Sequence, residues 1–289
     1  MPLGSSELIL NADRSIYHLN LIPEDVATTI ITVGDPDRVS DVSKHFDSLE
    51  LKKGKREFIT HTGVLNGKRL TVISTGIGTD NVDIVLNELD ALVNIDFETR
   101  EIKKETTRLQ FVRIGTSGAI QAEIPVDSFL ISAYAMGFDS LLHFYDSHRM
   151  QCTDISQKFM EHADWPATKS APYVVKADEK LLQQLSSNRI RLGVTATNTG
   201  FYGPQGRQLR TAINTHDMIS ILASFRHQDL KITNLEMETS GIYGLSKLMG
   251  HQAISMNCLL ANRVTGEFSK NPEKSVAALI EYTLEKLTT

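Results

Sequence analysis

Cysteine is scarce in this sequence. Two residues, Cys152 and Cys258, among 289 exclude a disulfide framework and a cysteine-rich metal site, and they fit a reducing compartment. Long apolar runs are also missing, since none approaches the ~20 residues needed to span a bilayer. The opening MPLGSSELILNADRS has no basic segment leading into an apolar stretch, so the expectation is a soluble, cytoplasmic protein. Positive charge is not in excess: 35 acidic residues against 30 basic give a formal net charge of -5. No field gathers polyanions, nucleic-acid binding is not expected, and any anion site has to be local. The histidines show no HExxH spacing, and neither a GxSxG nor a P-loop occurs. GDPDR, after the first strand pattern, does not supply the GxGxxG turn of a dinucleotide fold.

A hydrophobic share of 41% over this length is enough to bury a large core, and the reading is one domain over residues 1–289. Short β-branched runs at 28–33, 70–75, 111–114, 129–133, 192–196 and 254–260 alternate with helical patterns, which argues for an α/β fold. Several of these runs are apolar almost throughout, as expected of central strands covered on both faces. Val85, Leu86, Leu89 and Leu92 mark a helix over 82–93, and Ile242, Leu245 and Met249 form a second stripe that stops at Gly250. In the last helix, Asn271 is placed to cap and Pro272 to start the first turn. Val276, Leu279, Ile280, Leu284 and Leu287 supply its buried face, with Tyr282 beside them. Residues 97–109, FETREIKKETTRL, read as an inserted surface excursion, and residues 146–172 as irregular and polar.

Four segments carry candidate chemistry. Gly34-Asp35-Pro36-Asp37-Arg38 follows a strand and opens a helix, a geometry that lets backbone N–H groups and Arg38 meet an anion; it also suits a plain turn. Arg113-Ile114-Gly115-Thr116-Ser117-Gly118 sets an arginine inside an apolar strand, where it needs either an anionic ligand or an acidic side chain. In Asn234-Leu235-Glu236-Met237-Glu238 the carboxylates suit vicinal hydroxyls, but acidic residues also favour helix N-termini. Phe201-Tyr202-Gly203-Pro204-Gln205-Gly206-Arg207 combines aromatic rings, an amide and a guanidinium, groups that suit a planar heterocycle. Taken alone, His18 reads as a half-buried histidine and Arg56 as a solvated charge.

In this order, YHLNL, VGDPDRV, KREF, STGIG, VRIGTSGAIQ, GFYGPQGRQ, NLEMETSGIYG and NRVTGE resemble the uridine phosphorylases of the hexameric and trimeric nucleoside phosphorylase superfamily. The match spans nearly the whole chain. RIGTSGAIQ and the Glu-Met-Glu segment are specific to the superfamily, and the FY…Q.R segment points to uracil within it. The resemblance implies a mixed, distorted central sheet flanked by helices. It implies phosphorolysis of uridine to uracil and ribose 1-phosphate in nucleoside salvage, by a dimer or hexamer whose subunits share active sites.

By that resemblance Gly34, Arg38, Arg113 and Thr116 hold phosphate, with Arg56 from the neighbouring subunit. Glu236, Met237 and Glu238 hold ribose, with His18 of the neighbour at the 5'-hydroxyl. Phe201, Gln205 and Arg207 hold uracil, with Arg263 close behind, and the reaction centres on Arg113, Arg207 and Gln205. No cofactor is implied beyond phosphate as co-substrate. An interface monovalent cation known in some relatives would use Glu57 and the Ile77 carbonyl, and Asn81 stands where a serine is expected. Gly203-Pro204 inverts the familiar order, Gly206 replaces a charged residue, and the insertion at 97–109 is unusual for bacterial members. The nearest rivals are a purine nucleoside phosphorylase, for which a carboxylic acid would be expected near the base where Arg263 stands, and a catalytically silent nucleoside-binding protein.

Overall fold

The run TIITV forms β1 (Thr29–Val33), and all five of its residues are buried, as a strand between two neighbours and under helices requires. This is a computed structural model, and it describes residues 2–214 and 217–289. After β1 come α1 (Pro36–Ser43), β2 (Ser48–Lys55), β3 (Phe58–Leu65), β4 (Lys68–Ser74) and α2 (Thr79–Asn94). The short β5 (Ile95–Asp96) and β6 (Glu101–Ile102) precede β7 (Gln110–Ala119) and β8 (Phe129–Gly137). Next are α3 (Thr153–Ala163), β9 (Tyr173–Lys176), α4 (Glu179–Leu185), β10 (Arg191–Thr197) and α5 (Met218–Ser224). The chain ends with β11 (Ile232–Glu236), α6 (Thr239–Leu248), β12 (Gln252–Asn262) and α7 (Pro272–Thr288).

A 10-stranded mixed sheet runs in the order β11-β10-β8-β12-β7-β1-β4-β3-β2, with β9 added to β8. β1, β7 and β12 are parallel, whereas β12 and β8 are antiparallel. β11 also pairs with the end of β7, Leu235 opposite Gly118, so the strands from β7 through β12, β8 and β10 to β11 close on themselves. That closure is the distortion expected of the central sheet, and it brings the far ends of β7 and β11 together. Two groups of helices flank the sheet, α6 backed by α2 and α7 beside α1 and α4.

Several expectations need correction. The expected strands exist, and all but β1, which is one residue shorter, run longer, most of all β7, which continues through Gly115 to Ala119 because β12 and β11 pair with it on either side. Residues 146–172 are not irregular throughout: α3 buries Ile155 and Phe159, one turn apart, and this thin stripe is masked by polar neighbours. Asn271 sits at the N-cap of α7 without a side-chain capping bond; its carbonyl accepts from Ser275 N instead. The excursion at 97–109 is mostly exposed, as expected, yet it is anchored. β6 within it pairs with β5 just before it, and the Arg100 Nε donates to the Leu3 carbonyl at 2.8 Å, tying down the N-terminal segment.

The β2–β3 hairpin carries Arg56 at its tip and contains a register shift at Leu49–Leu51 opposite Gly63. A Cβ on Gly63 would lie 2.3 Å from the Ser48 carbonyl oxygen and 3.2 Å from the Leu49 Cα, both backbone atoms that cannot rotate away. Gly63→Ala is expected to cost about 1–3 kcal/mol and to lower the urea midpoint at an unchanged slope. An unchanged midpoint would show that the bulge absorbs the methyl group.

Candidate active site

The site forms where strand ends meet helix starts. At the end of β1, Asp35 accepts the Asp37 N–H at 3.0 Å and Pro36 fills the first helical position, so Arg38 projects from the first turn of α1. β7 lies beside β1 with Arg113 level with Thr32, and Thr116 stands three residues further along. β11 then delivers Glu236 at the start of α6. One cavity of about 750 Å³ takes in Gly34, Arg38, Arg113 and Thr116, with Glu236, Met237 and Glu238, and with Phe201, Gln205 and Arg207. Members of all three sets expected to meet phosphate, ribose and base therefore share one space, without Arg56, His18 and Arg263.

Arg113 is the most buried charge in it. Its Nη2 donates to Glu238 Oε2 at 2.6 Å and lies 3.1 Å from Glu236 Oε2, while its Nη1 donates to Asn257 Oδ1 at 2.9 Å. Burial pulls its pKa down, but Glu236 and Glu238 outweigh that and leave it raised. The guanidinium folds over Gly115, where a Cβ would fall 1.9 Å from Nη1. The salt-bridge reading of this arginine holds, and the guanidinium also borders the cavity.

The two carboxylates differ. Glu236 accepts from the Thr197 hydroxyl at 2.7 Å, from the backbone N–H groups of Glu238 and Thr239 at 3.0 and 2.9 Å, and from the Thr239 hydroxyl at 2.9 Å. It caps α6 and holds Arg113, which is the helix-terminus role. Glu238 accepts from Arg113 and, through Oε1, from the Gly78 N–H at 2.9 Å at the start of α2. Burial raises its pKa, against the opposing pull of Arg113.

Elsewhere in the cavity, the arginines are not ion-paired. Among the described residues, Arg38 and Arg207 have no carboxylate within 4.0 Å. Burial lowers the pKa of Arg38, with Asp35 partly countering it. Arg207 lies over the Phe201 ring, 3.8 Å from its centre, and donates to Gln205 Oε1 at 2.5 Å and to the Phe201 carbonyl at 2.8 Å. Burial, then the charge of Arg263, pushes its pKa down to about 10, so it stays a cation at neutral pH. Arg263 does not line the cavity; it packs behind Gly118, and its Nη1 is buried without a hydrogen-bond partner.

His18 and Arg56 lie outside this cavity. They gather instead around Tyr17: the His18 ring packs edge-on at 4.8 Å, and the Arg56 guanidinium sits 6.0 Å from the ring centre. His18 Nδ1 is 2.6 Å from Glu88 Oε1. Glu57, Ile77 and Asn81 border the cavity, with Asn81 Nδ2 3.4 Å from the Ile77 carbonyl oxygen. One carboxylate and a carbonyl already facing an amide donor do not make a cation site within one chain. The described residues contain no cluster of three or more His, Cys, Asp or Glu able to hold a metal.

Sequence reasoning missed the supports Gly78, Thr197 and Asn257. Asn257 had a signal, as the lone amide in the apolar run around it, whereas the Gly78 N–H is backbone and leaves none.

Comparison with known proteins bears on the family and the fold. The phosphorylase superfamily profile matches residues 28–287. Uridine phosphorylase of Thermococcus kodakarensis is 30% identical over 261 residues, covering 90% of this chain and 82% of the relative. Uridine phosphorylase of Haemophilus influenzae is 28% identical over 273 residues, covering 92% and 96%. The solved Trypanosoma brucei nucleoside phosphorylase, described as showing uridine phosphorylase activity, superposes with a TM-score of 0.86 at 27% identity, covering 97% of this chain and 99% of that one.

Removing Arg113 would strand two buried carboxylates. Arg113→Met is expected to lose about 3–5 kcal/mol in urea unfolding, and adding Glu238→Gln should recover part of the loss because a neutral amide needs no counter-charge. A parent-like midpoint for Arg113→Met alone would mean that the ion pairs do not hold the site together.

Proposed function

The chain belongs to the phosphorylase superfamily, and on that premise we propose that it splits the N-glycosidic bond of uridine with inorganic phosphate, giving uracil and ribose 1-phosphate. The observation that carries this reading is the pair of cationic groups in one cavity, Arg38 beside Arg113 and Arg207 backed by Arg263. Phosphorolysis needs both. A phosphate oxygen bonds to the ribose C1' as the bond to the base breaks, and the electron pair leaves on uracil, which then takes a proton from solvent. The sugar passes through oxocarbenium character, so the phosphate serves as nucleophile and counter-charge together.

In this reading Gly34, Arg38, Arg113 and Thr116 hold phosphate, and Arg56 of a neighbouring copy completes that set. Met237 and Glu238 hold ribose, and Glu236, whose oxygens are already engaged, sets Arg113 and the start of α6. His18 of the neighbour meets the 5'-hydroxyl. Gln205 and Arg207 stabilise the uracil oxygens as they become anionic, Phe201 stacks, and Arg263 adds its charge from behind. The reading includes a cytoplasmic location, where free thiols such as Cys152 and Cys258 persist. Among the described residues no helix is long and apolar enough to cross a membrane.

A purine substrate is less well served. The carboxylates bordering the cavity are Asp35, Glu57, Glu236 and Glu238, and none comes from the segment that carries Phe201, Gln205 and Arg207. Hydrolysis by water would leave Arg38 and Arg56 without a purpose.

Absorbance assays on uridine and inosine, with and without phosphate, test the chemistry. Uracil release should require phosphate, and Arg207→Met should lower kcat by about 10²–10³-fold; inosine cleavage, or turnover without phosphate, would overturn the reading. Shared sites have their own test. Arg56→Ala and Glu238→Ala chains should each be inactive, and mixed oligomers should regain activity because some sites then receive both native residues. Failure of mixed oligomers, once hetero-assembly is verified, would place Arg56 outside the site.

A further inference from the structure

Glu88, on α2, turns its carboxylate onto the segment that carries His18. Both oxygens accept the His18 N–H, at 3.1 and 3.0 Å, and Oε2 also accepts the Leu19 N–H at 2.9 Å. Oε1 in addition lies 2.6 Å from Nδ1 of the His18 ring. The pair is largely shielded, with 25% of the histidine side chain and 14% of the glutamate side chain exposed. The backbone bonds are enough to tie this N-terminal segment to α2, and the contact with the ring adds nothing to that tie.

What the ring contact does is fix a tautomer. Backbone N–H groups only donate, so Glu88 is an acceptor at both oxygens, and the ring nitrogen that faces Oε1 carries a proton. In the neutral ring Nε2 then holds the lone pair and acts as an acceptor. Among the described residues Nε2 makes no hydrogen bond. The ring plane is held as well. Tyr17 packs edge-on against it at an interplanar angle of 80°, and Lys55 sits over the Tyr17 ring, 4.4 Å from its centre, while donating to Asn11 Oδ1 at 3.0 Å. An imidazole oriented by a carboxylate at one nitrogen presents the other in one direction and with one polarity.

We infer that Glu88 is a positioning residue for the nucleoside 5'-hydroxyl: it holds His18 with Nε2 as an acceptor, so that the neighbouring copy's site takes a 5' group able to donate. The inference rests on the proposed phosphorolysis of uridine at shared sites. A 5'-hydroxyl meets the demand. A 5'-deoxy sugar has no donor there, and a 5'-ether oxygen only accepts. Glu88 itself touches neither sugar nor phosphate and acts through the ring.

Phosphorolysis of uridine and of 5'-deoxyuridine by the intact protein tests this. Glu88→Gln keeps an oxygen for the backbone N–H groups, but its amide donates to Nδ1 and moves the ring proton to Nε2. It is expected to lower kcat/KM for uridine by about tenfold and to leave that for 5'-deoxyuridine unchanged, so the preference for the hydroxyl falls by the same factor. In a His18→Ala background Glu88→Gln should have no further effect on uridine, because the ring through which it acts is gone. Equal losses on both substrates, or a loss that persists in the His18→Ala background, would mean that Glu88 only ties down the N-terminal segment, and would overturn the inference; an unchanged preference would do the same. Glu88→Asp, which keeps the charge and withdraws it from the ring by one methylene, is read in the same way if Glu88→Gln does not reach the parent's urea midpoint. Failure of the underlying reading looks different: a parent that does not cleave uridine with phosphate, or a His18→Ala chain with full uridine activity, removes the premise and the inference with it.

Discussion

The rest of the site depends on the ion pairing of Arg113 with Glu236 and Glu238. A guanidinium within a sheet is tolerable only when its charge and its donors are met, and here they are met by groups from β11, the start of α6 and β12. Glu236 joins Arg113 to the first turn of α6, and Glu238 joins it to the N–H of Gly78, just before α2. Two carboxylates thus fix the starts of two helices and one arginine at once. The floor of the cavity is rigid because none of these can move without exposing another buried charge.

This rigidity decides which groups remain free for a ligand. Arg113 and Glu236 have most of their hydrogen-bonding capacity committed, whereas among the described residues Arg38, Arg207 and Arg263 form no ion pair within 4.0 Å, Asp35 and Asp41 acting on Arg38 only from further away. A chain of net charge -5 thereby holds guanidiniums free of ion pairs in a cavity that carboxylates also border. Nothing in its long-range field gathers anions, so an anionic ligand is recognised by short-range, partly desolvated contacts, where charge is screened least.

Much of this was legible in the sequence, for reasons particular to each element. β1 and β12 announce themselves because a strand covered on both faces must be apolar, and Arg113 stands out against that background. β2 does not, since SLELKKGK is a solvated edge strand whose pairing, not its composition, makes it a strand. α3 hides behind polar neighbours for the same reason. The cavity residues were recognisable as a set through their ordered motifs, whereas the division of labour between Glu236 and Glu238 was not. Two carboxylates two residues apart look alike until the fold shows which one faces the N–H groups of α6.

The exposed residues around the cavity carry the argument one step further. Ile77 and Phe268 border it with 67% and 64% of their surface exposed, although large apolar side chains at the mouth of a polar site cost free energy in water. On the same chain, His18 and Arg56 gather around Tyr17 outside the cavity, and no ligand of their own chain explains the arrangement. The shared site proposed above would account for both, if the Tyr17 cluster of a second copy closed over the first copy's Ile77 and Phe268. It would cover the apolar rim and add a guanidinium and an imidazole to a site that already holds phosphate and ribose groups. Because the contact is reciprocal in a two-fold pair, each chain would complete the other's cavity with residues it cannot use in its own.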